Sequence, residues 1–106
     1  MRELRPREAA ALLAGPHPPR ILDVREPWEY ALCHLEGALL IPMRELPGRI
    51  SELDPEVPLL VVCHHGIRSR MVCRYLEREH GFRNLMNLEG GVAAWAAEVD
   101  PGMPTY

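Results

Sequence analysis

Residues 58–63, Pro-Leu-Leu-Val-Val-Cys, form an unbroken apolar run of strand length, part of it β-branched. A strand wetted on one face alternates polar and apolar residues. A continuous apolar run instead fits a strand covered on both faces, as inner strands of a parallel sheet are. Parallel strands need crossover connections, usually helical, and the rest of the chain supplies them. Residues 20–24 (RILDV), 37–42 (GALLIP) and 84–88 (NLMNL) are further short apolar runs, the second ended by Pro42. A helix is expected over residues 5–14, where Pro6 suits a first turn, alanines favour helix and Gly15 is a stop. Glu26 and Pro27 open a helical turn reaching about Leu32. Met43, Leu46, Ile50 and Leu53 recur at helical spacing, but Pro47 interrupts them and predicts a kinked or broken helix. From Ile67 to His80 the residues Met71, Val72, Tyr75 and Leu76 alternate with charged ones at a helical period, and Gly81 supplies the stop. Residues 90–99 (GGVAAWAAEV) form a short alanine-rich helix that turns Val92 and Trp95 inward.

Strands alternating with helices predict an α/β fold: an open, mostly parallel sheet with helices on both faces and any site at the carboxyl ends of the strands. At 106 residues the chain, 1–106, is expected to be a single domain with one core, and no internal repeat or linker divides it. Neither the first residues, which mix Glu3 and Glu8 with arginines, nor any later tract has the apolar length for export or for spanning a bilayer. The expectation is a cytoplasmic protein with no membrane partner. All 12 basic residues are arginines scattered along a chain of net charge -3, which gives no clustered basic face for nucleic acid. Three cysteines, an odd number, argue against a disulfide framework and leave room for a reactive thiol.

Cys63 is the candidate. It stands where a covered strand ends and a helix begins, so the intervening backbone N–H groups can curl round its sulfur and, with the positive end of the helix dipole, stabilise a thiolate. His64, His65, Gly66, Ile67, Arg68 and Ser69 then form the candidate substrate-binding loop. Gly66 permits a turn that a side chain would obstruct, the Arg68 fork can hold an oxyanion such as a thiosulfonate or sulfite group, and Ser69 can cap the helix or donate to sulfur. His64 and His65 either favour the thiolate as imidazolium or simply face solvent. Cys73 is expected in the core and Cys33 at or near the surface. Trp28, Tyr30 and Trp95 are expected as packing residues. Zinc held by Cys63, His64, His65 and Cys73 is disfavoured, because adjacent ligands without paired spacing rarely close a tetrahedron.

The segment Cys63-His64-His65-Gly66-Ile67-Arg68-Ser69, a C-x-x-G-x-R-S string after an apolar strand, resembles the active-site loop of the rhodanese family. ILDVREPWEY (21–30) followed by HLEGALLIP (34–42), and NLEGGVAAW (87–95), resemble that family's other signatures in order and spacing, so the likeness spans about residues 20–95. Cys33 stands where the family usually has Gly before the His, and Glu36 where Pro often follows. The resemblance implies a rhodanese-like five-stranded parallel sheet with helices on both faces, and transfer of sulfane sulfur through a persulfide on Cys63. Asp23 and Arg25 match the family's near-strand pair and are expected to support the fold around the site. The implied partners are a small-molecule donor, thiosulfate or a persulfide, and a thiol or cyanide acceptor, which a protein could supply. No metal or organic cofactor is implied.

Two other readings compete. A cysteine-dependent phosphatase or arsenate reductase also places Cys ahead of Arg in a loop that opens a helix, but the six residues from Cys63 to Arg68 are one fewer than in those enzymes. A shorter ring should converge on a single sulfur and leave too little room for phosphate in line for attack. A rhodanese-fold relay or binding module without catalysis is disfavoured by the presence of Cys63.

Overall fold

The computed structural model describes all of residues 1–106. Its five strands are β1 (Arg2–Leu4), β2 (Arg20–Asp23), β3 (Leu39–Leu40), β4 (Leu59–Val62) and β5 (Leu85–Leu88). They form one sheet in the order β1-β5-β4-β2-β3, and every adjacent pair is parallel. The helices are α1 (Pro6–Leu13), α2 (Pro27–Leu32), α3 (Ile67–His80) and α4 (Gly91–Glu98). The covered strand behaves as its sequence demands. Leu59 and Val61 of β4 face a core shared with Val72, Cys73 and Leu76 of α3. Leu60 and Val62 face a second core shared with Ala9 of α1 and Val92 of α4. A two-residue side-chain period with apolar layers on both sides requires an unbroken apolar run. Each such buried leucine or valine contributes about 1.5–3 kcal/mol relative to exposure.

Two strands differ from expectation. Arg2–Leu4 is a strand the sequence did not announce, because only Leu4 enters the core and the register with Met86, Asn87 and Leu88 is what extends it. The strand expected over 37–42 shrinks to Leu39–Leu40, an edge strand paired only with Leu22 and Asp23. The broken helix over 43–53 consists of two 3-10 segments, Met43–Gly48 and Ile50–Glu52, with Pro47 inside the first. Met71, on the expected apolar face of α3, is exposed. No helix is long and apolar enough to cross a membrane.

The strand order also positions the site. From β2 the chain winds outward to β3, then returns to β4 on the other flank of β2 and continues to β5. Winding reverses between β2 and β4, and in open α/β sheets the crevice beyond the carboxyl ends at such a reversal is where ligands bind. Asp23 is paired with Val62 in register, so Val24-Arg25 and Cys63-His64 leave the sheet side by side.

Candidate active site

Cys63 is buried, 1% exposed, and its sulfur is the focus of the loop that follows. The Gly66 N–H donates to Sγ at 3.1 Å and the Ser69 N–H at 3.3 Å, while Ser69 Oγ lies 3.3 Å away. Both amides are available because the first turn of α3 has no intrahelical acceptors for them. Gly66, at φ 89°, is the residue that caps α3, so Ser69 lies inside the helix and serves the sulfur instead of the cap. Ser69 Oγ also donates to Asn87 Oδ1. A hydroxyl has one proton, so Ser69 accepts from a Cys63 thiol while bonded to Asn87, or turns toward sulfur when the thiol has ionised.

Asn87 fixes the loop from below: its Nδ2 donates to the Gly66 carbonyl oxygen at 3.1 Å and to Glu3 Oε1 at 2.9 Å. From above, the Val92 and Ala93 N–H groups at the start of α4 donate to the Cys63 and His64 carbonyl oxygens at 2.9 and 3.1 Å. This approach explains the glycine pair of residues 90–91. A Cβ on Gly91 would come within 2.3 Å of the His64 carbonyl oxygen, and its φ is +63°.

The Arg68 fork is occupied. Its two terminal nitrogens donate to Glu29 Oε2 and Oε1, each at 2.8 Å, so an incoming oxyanion meets an ion pair and the remaining N–H groups of the guanidinium. Glu29 is buried and set by its own helix start, where the Glu26 N–H donates to Oε2 at 2.8 Å in a capping box. His64 corrects the sequence expectation on both counts. It is half-buried, stacked between His65 (3.9 Å between centroids) and Tyr106 (4.0 Å), and burial together with His65 pulls its pKa down. The lowered pKa disfavours the imidazolium form, and the ring is packed instead of facing solvent. His65 is exposed, as is Ile67 at the mouth of the loop.

Asp23 and Arg25 are fully buried and paired, with Nε and Nη2 of Arg25 donating to the carboxylate at 2.9 and 2.7 Å. Arg25 also donates to the Cys33 carbonyl oxygen at 2.6 Å and so ties the end of α2 to the end of β2. Cys33, expected near the surface, is buried against this pair, with Sγ 3.9 Å from Arg25 Nη1. Cys73 lies in the core as expected, and burial pushes its thiol up to about 12. Sequence reasoning passed over Glu29, Asn87 and Tyr106. A polar residue inside the apolar strand 84–88 and a carboxylate three residues past a helix start were readable signals for the first two. Nothing local marked Tyr106.

The Arg68 ion pair holds the Glu29 carboxyl down at about 2, from an ordinary 4.5. A depressed folded-state value gives stabilisation that is complete above the unfolded value and lost as pH falls through the folded one. Acidification from about pH 5 to 2 should therefore remove of order 2 kcal/mol, after allowing for the solvent that reaches Arg68. Urea midpoints across this range should show the gap between the unmodified protein and Glu29→Gln closing as pH falls. A gap independent of pH would show that the pair contributes nothing to folding.

Residues 5–98 match the family model for the rhodanese-like domain. The Rhodanese-like/PpiC domain-containing protein 12, chloroplastic, of Arabidopsis thaliana is 37% identical over 91 residues, covering 82% of this chain and 30% of that protein. The thiosulfate sulfurtransferase GlpE of Shewanella oneidensis is 37% identical over 76 residues, covering 72% of this chain and 74% of GlpE. A rhodanese-like domain protein from Staphylococcus aureus superposes with a TM-score of 0.84 at 31% identity, covering 100% of this chain and 99% of that one. The chain belongs to the rhodanese-like domain family. It spans less than a third of the plant protein's length and about three quarters of GlpE's.

Proposed function

We propose that this chain is a sulfurtransferase that carries sulfane sulfur as a persulfide on Cys63. The observation that carries the reading is the convergence of the Gly66 and Ser69 N–H groups on Cys63 Sγ at the carboxyl end of β4. In the first step the Cys63 thiolate attacks the outer sulfur of thiosulfate, an S–S bond to Cys63 forms, the bond to the sulfonate sulfur breaks, and sulfite leaves with the electron pair. In the second step a thiolate or cyanide attacks the terminal sulfur, and Cys63 leaves as thiolate. Two displacements on one nucleophile predict ping-pong kinetics. Gly66 and Ser69 stabilise negative charge on sulfur at both stages, and Arg68, beside Glu29, meets the sulfonate of the donor. Asp23 and Arg25 keep the ends of β2 and α2 in place around the site. Neither step requires a metal or an organic cofactor, and three free cysteines suit a reducing, cytoplasmic setting.

Intact-mass measurement after incubation with thiosulfate tests the reading. The protein should gain one sulfur atom, mapped by peptide to Cys63 and released by cyanide. Sulfur mapped to Cys33 or Cys73 would overturn the assignment. Cys63-dependent hydrolysis of an aryl phosphate outpacing sulfur transfer would overturn the reaction class.

A further inference from the structure

The segment after α4 returns across the face that carries Cys63 and brings Tyr106 into the candidate site. Its ring stacks on His64 at 4.0 Å and 14°, and meets Trp28 edge-on at 5.6 Å. Its hydroxyl lies 2.8 Å from Arg25 Nη1 and 2.9 Å from Glu29 Oε1. The directions are fixed by chemistry: arginine only donates, so the hydroxyl accepts from Arg25 and gives its single proton to the carboxylate. Glu29 Oε2 is anchored to the fold by the Glu26 N–H, whereas Oε1 has Tyr106 as its donor besides Arg68 itself. Without the Tyr106 proton the carboxylate keeps the Glu26 N–H on Oε2, and Arg68 is the remaining donor to Oε1. Arg68 has Glu29 as its ion-pair partner, so where the carboxylate goes the guanidinium follows.

We propose that Tyr106 is a positioning residue for the donor anion, its hydroxyl holding Glu29 in the orientation that presents Arg68 beside Cys63. The inference rests on the sulfurtransferase reading above and adds a residue far from every motif that suggested it. Tyr106 links two ion pairs, Asp23–Arg25 beneath the loop and Glu29–Arg68 at its mouth.

Tyr106→Phe keeps the stacked ring and removes the hydroxyl, withdrawing the proton from Glu29 and an acceptor from Arg25, whose Nη1 retains the Glu29 carbonyl oxygen at 3.4 Å. The KM for thiosulfate in the loading half-reaction should rise on the order of tenfold, the scale of one hydrogen bond to a charged group. Discharge of the loaded persulfide to cyanide should stay within about twofold, because the sulfonate has already left. A purely structural role would slow both half-reactions alike, and that result, or an unchanged KM, overturns the proposal. Calorimetry with sulfite on Cys63→Ser, with and without Tyr106→Phe, reads the anion site without turnover. On the order of tenfold weaker binding in the double variant is expected, and equal affinities or no binding to either protein count against Tyr106. If thiosulfate adds no sulfur to the unmodified protein the sulfurtransferase reading fails, and the sulfite comparison still decides the role of Tyr106.

Discussion

Cys63→Ser should abolish sulfur loading and thiosulfate turnover altogether while leaving the fold nearly as stable as before. Loss is complete because a serine oxygen cannot form a persulfide, and no other thiol receives the same donors: Cys73 is sealed in the core and Cys33 packs beside Arg25. Stability is retained because the new hydroxyl inherits the Gly66 and Ser69 N–H groups and the contact with Ser69 Oγ, so its burial is satisfied. A change within about 1 kcal/mol is expected. Cys73→Ser should do the opposite. Its sulfur has one weak contact, 3.8 Å to the Met86 carbonyl oxygen, amid Val72, Leu76 and their apolar neighbours, so the hydroxyl costs about 1–3 kcal/mol while turnover persists. Paired denaturation and rate measurements on the two variants check this, and the inverse pattern would mean that the roles of the two thiols are exchanged.

The largest loss of stability should come from Arg25→Met. The Asp23 carboxylate is shielded from water and takes its hydrogen bonds from the backbone N–H, Nε and Nη2 of Arg25. Removing the guanidinium strands a charge with one backbone donor and also unties the Cys33 carbonyl and the Tyr106 hydroxyl. Breaking a buried pair from one side costs about 3–5 kcal/mol. Replacing both partners, Asp23→Leu with Arg25→Met, should recover much of that loss, because no uncompensated charge remains. Urea midpoints on the single and double variants provide the comparison. A single-variant loss under about 1 kcal/mol would show that the pair is not what holds the ends of β2 and α2 together.

Much of the fold was legible in short stretches of chain. Alternation of β2, α2, β4, α3, β5 and α4 follows from apolar periodicity, and the turn at Gly66 and the helix stop at Gly81 follow from glycine's backbone freedom. The candidate nucleophile and its loop were legible for the same reason: strand, turn and helix start are consecutive, so Cys63, Gly66 and Ser69 must meet wherever the segment folds. The resemblance of residues 20–95 added the buried Asp23–Arg25 pair, whose members are two apart and likewise meet locally.

The packing of His64, the occupation of Arg68 and the burial of Cys33 were not legible, because each depends on what a distant segment brings. Tyr106 reaches Arg25 and Glu29 across separations of 81 and 77 residues, and Asn87 reaches Glu3 across 84. The sequence by itself determined the parallel sheet, the helices that cover it and the loop that curls round Cys63, since periods of two and 3.6 residues and a glycine's backbone freedom act between near neighbours. Only the tertiary structure decided that Arg2–Leu4 would complete the sheet, that Glu29 would claim Arg68 and that Tyr106 would bridge Arg25 and Glu29. Those contacts join segments far apart in the chain, which no local pattern of residues records.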